Sequence, residues 1–265
     1  MEMMTVRPEE TARIILLQRS EALIACLSND QKFAVLATLV DTHLPDVITF
    51  INSKPGGTFR YIARENVRVI VGSGGIQTQK GWLTTDIDQL NIVEDASWQR
   101  LFQPSTIDRI LAEHVLEHLT LRDLKTALEN AHRFLKPGGW LRAAVPDAFH
   151  PSRYYYNLVK PGGWETPYEH MLLLDYEMLS RIGREIGFRV RLLEYFDENG
   201  LFHIADYDSE DGIVQRCARN NIGLNTSDNE VMNQFYSSIP DHLRQQFLDR
   251  RMTYTSLIVD LIKPE

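Results

Sequence analysis

The chain has 265 residues, 43% of them apolar and 24% charged, a balance that can bury a full core and that excludes the disordered and fibrous classes. Its formal net charge of −8 argues against a polynucleotide as the main substrate, because phosphate backbones select basic faces. Two cysteines, Cys26 and Cys217, suit a reducing compartment and no disulfide framework; no apolar run reaches the roughly eighteen residues of a membrane span, so a cytoplasmic protein with no membrane partner is expected.

Residues 1–58 are expected to form an N-terminal helical extension. Pro8 with Glu9 and Glu10 suits a first helical turn, and apolar residues from Ile14 to Leu27 carry it on. Ser28 followed by Gln31 resembles a capping box that opens a second helix with Phe33, Leu36, Val40 and Leu44 on one stripe, ended by Pro45. A third short helix is expected over residues 46–51. These helices are read as packing or as a homodimer contact rather than as a lid. Lys-Pro-Gly-Gly recurs at Lys54, Lys136 and Lys160 with uneven spacing, which makes three turns and not a structural repeat.

The stretch VRVIVGSGGIQTQKGWLTTDID, residues 67–88, reads as strand, glycine turn, strand, acid. Val67, Val69, Ile70 and Val71 are the β-branched run of a strand buried on both faces, and Gly72, Ser73, Gly74 and Gly75 stop it where a ligand can approach the backbone. Trp82-Leu83 leads on to Asp86, placed where a nucleotide fold accepts from ribose hydroxyls. A dinucleotide fingerprint would need a glycine at Gln77 and about twenty residues to its acid; here fourteen separate Gly72 from Asp86, which leaves little room for a full helix and implies no diphosphate.

Further along, residues 107–112 read as a buried strand, and Leu121, Leu124, Leu128 and Phe134 share a helical stripe closed by Lys136-Pro137-Gly138-Gly139. Residues 140–145 read as the next strand, 176–186 as a helix with Gly187 at its end, and 190–196 and 254–262 as strands. Such alternation predicts a mainly parallel sheet with helices on both faces and ligands at the strands' carboxyl ends. Gly72, Asp86, Glu113 and Asp147 all fall at such ends.

In order and content, VIVGSGG, GWLTTDID, IDRILAEHVLEHL and RFLKPGGWLRAAVPD resemble the class I S-adenosylmethionine-dependent methyltransferases of the broad type 11 group, and LLEYFDENGLFH and YTSLIVDLIKP extend the likeness weakly to the C-terminus. The resemblance implies a Rossmann-like three-layer sandwich, with a mostly parallel seven-stranded sheet and a reversed last strand, over residues 59–265. It implies S-adenosyl-L-methionine as cofactor, with Gly72, Ser73 and Gly74 along its methionine part, Asp86 on the ribose, Ile87 against the adenine, Asp95 and Ala96 at the adenine edge, and Glu113 facing the cofactor. The acid that this family commonly carries two places before the first glycine is Ile70 here.

Methyl transfer from a sulfonium is an in-line displacement that needs donor and acceptor held together and water kept out. A hydroxyl acceptor also needs a base, for which His114, Asp147 and His170 are the candidates, with His150 and His203 behind them. Substrate-side insertions are expected at about 148–175 and 199–251, the first carrying Tyr154, Tyr155, Tyr156, Trp164, Tyr168 and His170, either to stack on a small-molecule or saccharide acceptor or simply to pack. The alternatives are a non-catalytic binding module on the same fold and a zinc hydrolase. The latter rests on His114-Val115-Leu116-Glu117-His118, which matches H-x-x-E-H and on a helix would set two histidines one turn apart. No clear third ligand follows downstream, so no metal is expected.

Overall fold

The structure, a computed structural model, describes residues 47–51, 59–63, 67–75, 77–79, 81–163, 169–208, 211–218 and 229–265. It divides into two compact units, Met1–Glu65 and Asn66–Glu265. In the first, β1 (Val47–Ile51) pairs antiparallel with β2 (Phe59–Ala63), with Val47 opposite Ala63 and Ile51 opposite Phe59. The short helix expected over 46–51 is therefore a strand. Every residue of Val-Ile-Thr-Phe-Ile is β-branched or aromatic, and such side chains fit a pleated ladder better than a helical turn. The two helices expected before Pro45 lie outside the described residues. The sequence-based boundary at residue 58 falls between the hairpin strands.

The second unit opens with β3 (Arg68–Val71) and the two-residue β4 (Leu83–Thr84). Among the described residues no helix lies between them, as the short spacing predicts. Helix α1 (Asp95–Leu101) and β5 (Ile107–Glu113) follow. Next comes α2 (Leu121–Phe134), whose N-cap Thr120 accepts from the Asp123 amide, satisfying one of the orphan donors at the helix start. β6 (Leu135–Pro146), α3 (Arg153–Val159) and α4 (Tyr176–Ile186) come next. Asp175 caps the start of α4, and Gly187 ends it at φ 111°, a left-handed conformation that glycine adopts at little cost. The chain closes with β7 (Arg189–Phe196), β8 (Phe202–Ile204), α5 (Asn229–Ser237), α6 (Asp241–Arg250) and β9 (Ser256–Ile262).

The seven-stranded sheet has the order β4-β3-β5-β6-β9-β7-β8. β3 pairs parallel with β4 and β5, and β5 parallel with β6; β9 is antiparallel to both β6 and β7, and β8 to β7. Five strands thus run one way and two the other, the last strand being reversed as the resemblance implies. Among the described helices none is long and apolar enough to cross a membrane.

The two sheet faces are covered differently. On one, Val71, Ile110, Ala112 and Leu141 meet Trp98 of α1 and Ala127, Leu128 and Ala131 of α2, with Trp98 stacked on Phe134 at 5.4 Å. On the other, Ile70, Leu111, Ala144, Leu193 and Ile258 pack against Trp82, Tyr207, Val214 and Cys217. The last three belong to a strap, residues 205–208 and 211–218, that has no helix or strand of its own. Irregular backbone laid on an apolar face leaves amides and carbonyls that need partners. Buried charged side chains from the sheet supply them. Arg142 Nη1 donates to the carbonyls of Asp208, Asp211 and Gly212 at 3.3, 2.8 and 2.9 Å, while its Nε and Nη2 donate to the two Asp260 oxygens at 2.8 and 3.1 Å. Glu113 accepts from the amides of Gln215 and Arg216, and Glu194 accepts from Tyr207 Oη and the Ala218 amide at 2.6 and 2.7 Å.

A second apolar cluster joins both expected insertions. Tyr155 and Val159 of α3, Phe196, Phe202, Phe235 of α5 and Leu243 and Phe247 of α6 pack together with Met252 and Tyr254. Tyr155 is fully buried there. Trp164 and Tyr168 lie outside the described residues.

Candidate functional site

The glycine turn after β3 is built as a unit with the end of β4. The Thr85 amide and hydroxyl both donate to the Ile70 carbonyl, at 2.8 and 2.9 Å, and the Ser73 amide donates to the Thr85 carbonyl at 3.1 Å. Gly72, Gly74 and Gly75 have φ of 62°, 60° and 74°, all in the left-handed region where a Cβ costs about 1–2 kcal/mol per residue. The Asp86 carboxylate reaches back across the turn, Oδ1 accepting from the Gly74 amide at 2.8 Å and Oδ2 from Ser73 Oγ at 3.1 Å. Of its roughly four lone-pair sites two are so engaged. Gly72, Gly74 and Gly75 are exposed, and Ile87 beside Asp86 is 72% exposed. An open glycine backbone, a carboxylate with accepting capacity and an exposed apolar side chain fit a ribose and an adenine ring.

The side of the turn facing β5 is more crowded. A Cβ on Gly72 would stand 2.5 Å from Val115 Cγ2, so this glycine also serves the close approach of the turn after β5. Glu113 is buried, and besides the strap amides it accepts from Gln77 Nε2 at 2.6 Å. Its carboxylate therefore anchors the strap. Asp95, at the first turn of α1, pairs with Arg133 of α2 at 2.7 Å and accepts from Gln99 Nε2; Ala96 next to it is exposed.

The candidate bases fall into separate surroundings. His114 ends β5 with φ 53°. Its Nδ1 stands 2.9 Å from Glu117 Oε1 and its Nε2 3.0 Å from Ser256 Oγ. Burial, the largest single influence, works to raise the Glu117 carboxyl, but the charge and hydrogen bond of the neighbouring His114, a backbone hydrogen bond and the charge of His118 together hold the group below the usual glutamate value. Asp147 is buried, its two oxygens accepting from the Phe149 and Phe196 amides at 2.9 and 2.8 Å, and burial pushes its pKa up to about 7. His150 stacks on Tyr155 at 4.1 Å, accepts from the Ser152 amide through Nδ1, and is driven by burial down to about 3. His170 is buried 4.9 Å from the His118 ring. His203 pairs with Asp197 at 2.8 Å and holds that carboxyl below its usual value.

The zinc-hydrolase geometry is not formed. His114 lies at a strand end in a left-handed conformation, and only the three-residue turn Leu116–His118 is helical, so the two histidines do not share a helix. Positive φ at His114 breaks the regular backbone that the signature needs. Sequence reasoning missed Ser256 as the partner of His114. That residue faces Pro146 across the antiparallel β6–β9 ladder, a register visible only once the reversed strand is in place.

Residues 51–193 match the family model described as "Methyltransferase domain". No curated protein matches the chain. Among solved structures, a SAM-dependent methyltransferase from Archaeoglobus fulgidus is 14% identical with a TM-score of 0.41, covering 87% of this chain and 94% of its own. Phosphoethanolamine N-methyltransferase 2 of Haemonchus contortus is 14% identical at a TM-score of 0.39, with 76% of this chain and 49% of that one covered. The CurJ carbon methyltransferase is 15% identical at 0.40, with 94% and 58% covered. The family match spans more than half of the chain, including the glycine turn, Asp86 and β5 to β6, and on that ground the chain belongs to the methyltransferase domain family.

Proposed function

We propose that this enzyme transfers a methyl group to an oxygen of a small-molecule or saccharide acceptor. S-adenosylmethionine supplies that group as an electrophilic sulfonium when bound. The observation that carries the cofactor assignment is the Asp86 carboxylate locked to the glycine turn by the Gly74 amide and Ser73 Oγ. In this reading Asp86 accepts from the ribose hydroxyls, Ile87 lies against the adenine, and Gly72, Ser73 and Gly74 border the methionine part. Asp95 and Ala96 stand toward the adenine edge, and Glu113 acts by fixing the strap rather than by touching the cofactor.

Oxygen as the accepting atom is favoured by His114. Its imidazole is oriented from both sides by Glu117 and Ser256, the arrangement of a base that takes a hydroxyl proton while a neighbouring carboxylate holds the ring. Asp147, with both oxygens spent on backbone amides, serves to seat the start of the insertion against β7. His170 is seated through Nδ1 on the Val159 carbonyl.

The test is titration calorimetry with S-adenosylmethionine. Asp86→Ala is expected to weaken binding by roughly 1–3 kcal/mol, the cost of leaving buried hydroxyl donors unpaired. An unchanged dissociation constant would refute the ribose assignment.

A further inference from the structure

Glu117, His118 and His170 come together at the turn after β5, each offering one ligand atom within 4.8 Å of the others. Three segments make this meeting. The Glu117 carbonyl accepts from the Met171 and Leu172 amides at 2.8 and 3.0 Å, which brings residue 170 alongside. His170 Nδ1 bonds the Val159 carbonyl at 2.5 Å, at the end of α3, and His118 Nδ1 bonds the Glu169 carbonyl at 3.1 Å. A carbonyl can only accept, so Nδ1 carries the proton in both rings, and the lone pair sits on Nε2. Histidines that bind metals are oriented in this manner, by donating the other ring nitrogen to a carbonyl or carboxylate.

Glu117 supplies an independent sign. It is fully buried; Oε1 stands 2.9 Å from His114 Nδ1, and Oε2 meets no hydrogen-bond partner among the described residues. A buried carboxylate with one oxygen unmatched is costly, and a cation at that oxygen removes the cost. We propose that Glu117, His118 and His170 bind one divalent first-row transition ion, zinc being the probe. Two imidazoles and one carboxylate favour such an ion over magnesium, which prefers oxygen ligands throughout. With metal–nitrogen bonds of about 2.0–2.1 Å, ligand atoms around one ion stand about 3.4 Å apart, so side-chain rotation has to draw the three inward by about an ångström.

This set differs from the pair that the H-x-x-E-H match implies. His114 is not a ligand but steadies Glu117, and the third ligand comes from 52 positions after His118. Three protein ligands leave an ion with a position to spare. At the carboxyl end of β5 an acceptor hydroxyl is the natural occupant of that position, a role that rests on the transfer reaction proposed above, whereas the binding of the ion does not.

The experiment measures zinc bound by the full-length chain, by elemental analysis after dialysis and by competition with a chromophoric chelator. One equivalent is expected, and His118→Ala and His170→Ala should each lower the affinity about 10–100-fold. Magnesium at the same concentration should not compete. His118 is only half-buried, so His118→Ala retains the fold, checked by its melting curve, and decides the matter alone should His170→Ala fail to fold. Absence of stoichiometric zinc in the wild type, or equal zinc affinity in wild type and His118→Ala, overturns the site. Neither readout depends on methyl transfer, so failure here and failure of the cofactor assignment are told apart.

Discussion

Asp147 and His150 sit three positions apart, and burial drives both toward their neutral forms, the acid up to about 7 and the imidazole down to about 3. The signs of their contributions to stability are opposite. An unfolded aspartate titrates near 3.9, so between about pH 4 and 7 the folded state holds a proton that the unfolded state lacks, and stability falls as pH rises, by up to about 1.4 kcal/mol per unit. An unfolded histidine titrates near 6.5, so between about pH 3 and 6.5 the unfolded state holds the extra proton, and stability rises with pH at a similar slope. The two cancel over the shared window in the wild type. Urea unfolding at fixed pH separates them: His150→Phe should leave a protein that loses stability from about pH 4 to 6.5, and Asp147→Asn one that gains it over the same range. Indistinguishable pH profiles in the two variants would show that neither group is held neutral.

At the scale of elements, the strap is the feature that most distinguishes this sheet. Its polar backbone is matched by Arg142, Glu113 and Glu194 from three different strands, and Arg142 is itself neutralised by Asp260 of β9. The guanidinium also lies 4.6 Å over Trp140 and 5.1 Å over Tyr207. Arg142→Ala would strand the Asp260 charge and release three carbonyls, so a loss of about 3–5 kcal/mol is expected. Hydrogen exchange at Gln215, Arg216 and Ala218 should accelerate beyond that of the β5 amides; uniform acceleration would mean that Arg142 supports the sheet and not the strap. This element was not legible in the sequence, because residues 205–218 follow neither a period of two nor one of 3.6, and Arg142 stands inside an apolar run like a strand's outward residue. The strands and helices around it were legible for the converse reason. β3 and residues 140–146 of β6 are β-branched or apolar runs bounded by glycine or proline, β5 carries the apolar run Ile110-Leu111-Ala112, and α4 is bracketed by Asp175 and Gly187. The error at β1 came from carrying helical expectation past Pro45 against the β-branched content of 47–51.

For the molecule as a whole, legibility followed sequence distance. Gly72 to Asp86 spans a single strand–turn–strand unit, and its geometry could be anticipated locally, whereas His118 and His170, or His114 and Ser256, meet only through the assembled sheet. β4 contributes just two residues at one edge of the seven-stranded sheet, so the turn and Asp86 are held at an end with few ladder bonds. A ligand bridging the glycine turn and Asp86 binds the folded state alone and adds about 2.7 kcal/mol at a hundred times its dissociation constant. For a unit of this size each kcal/mol raises the melting temperature by roughly 2–4 °C, so S-adenosylhomocysteine at that excess should raise it by about 5–10 °C. In Asp86→Ala the same concentration should give a markedly smaller rise, since the weaker binding lowers the ratio of ligand to dissociation constant. A wild-type melting temperature that does not move with the nucleoside would mean that the turn and its acid are a structural brace and nothing more.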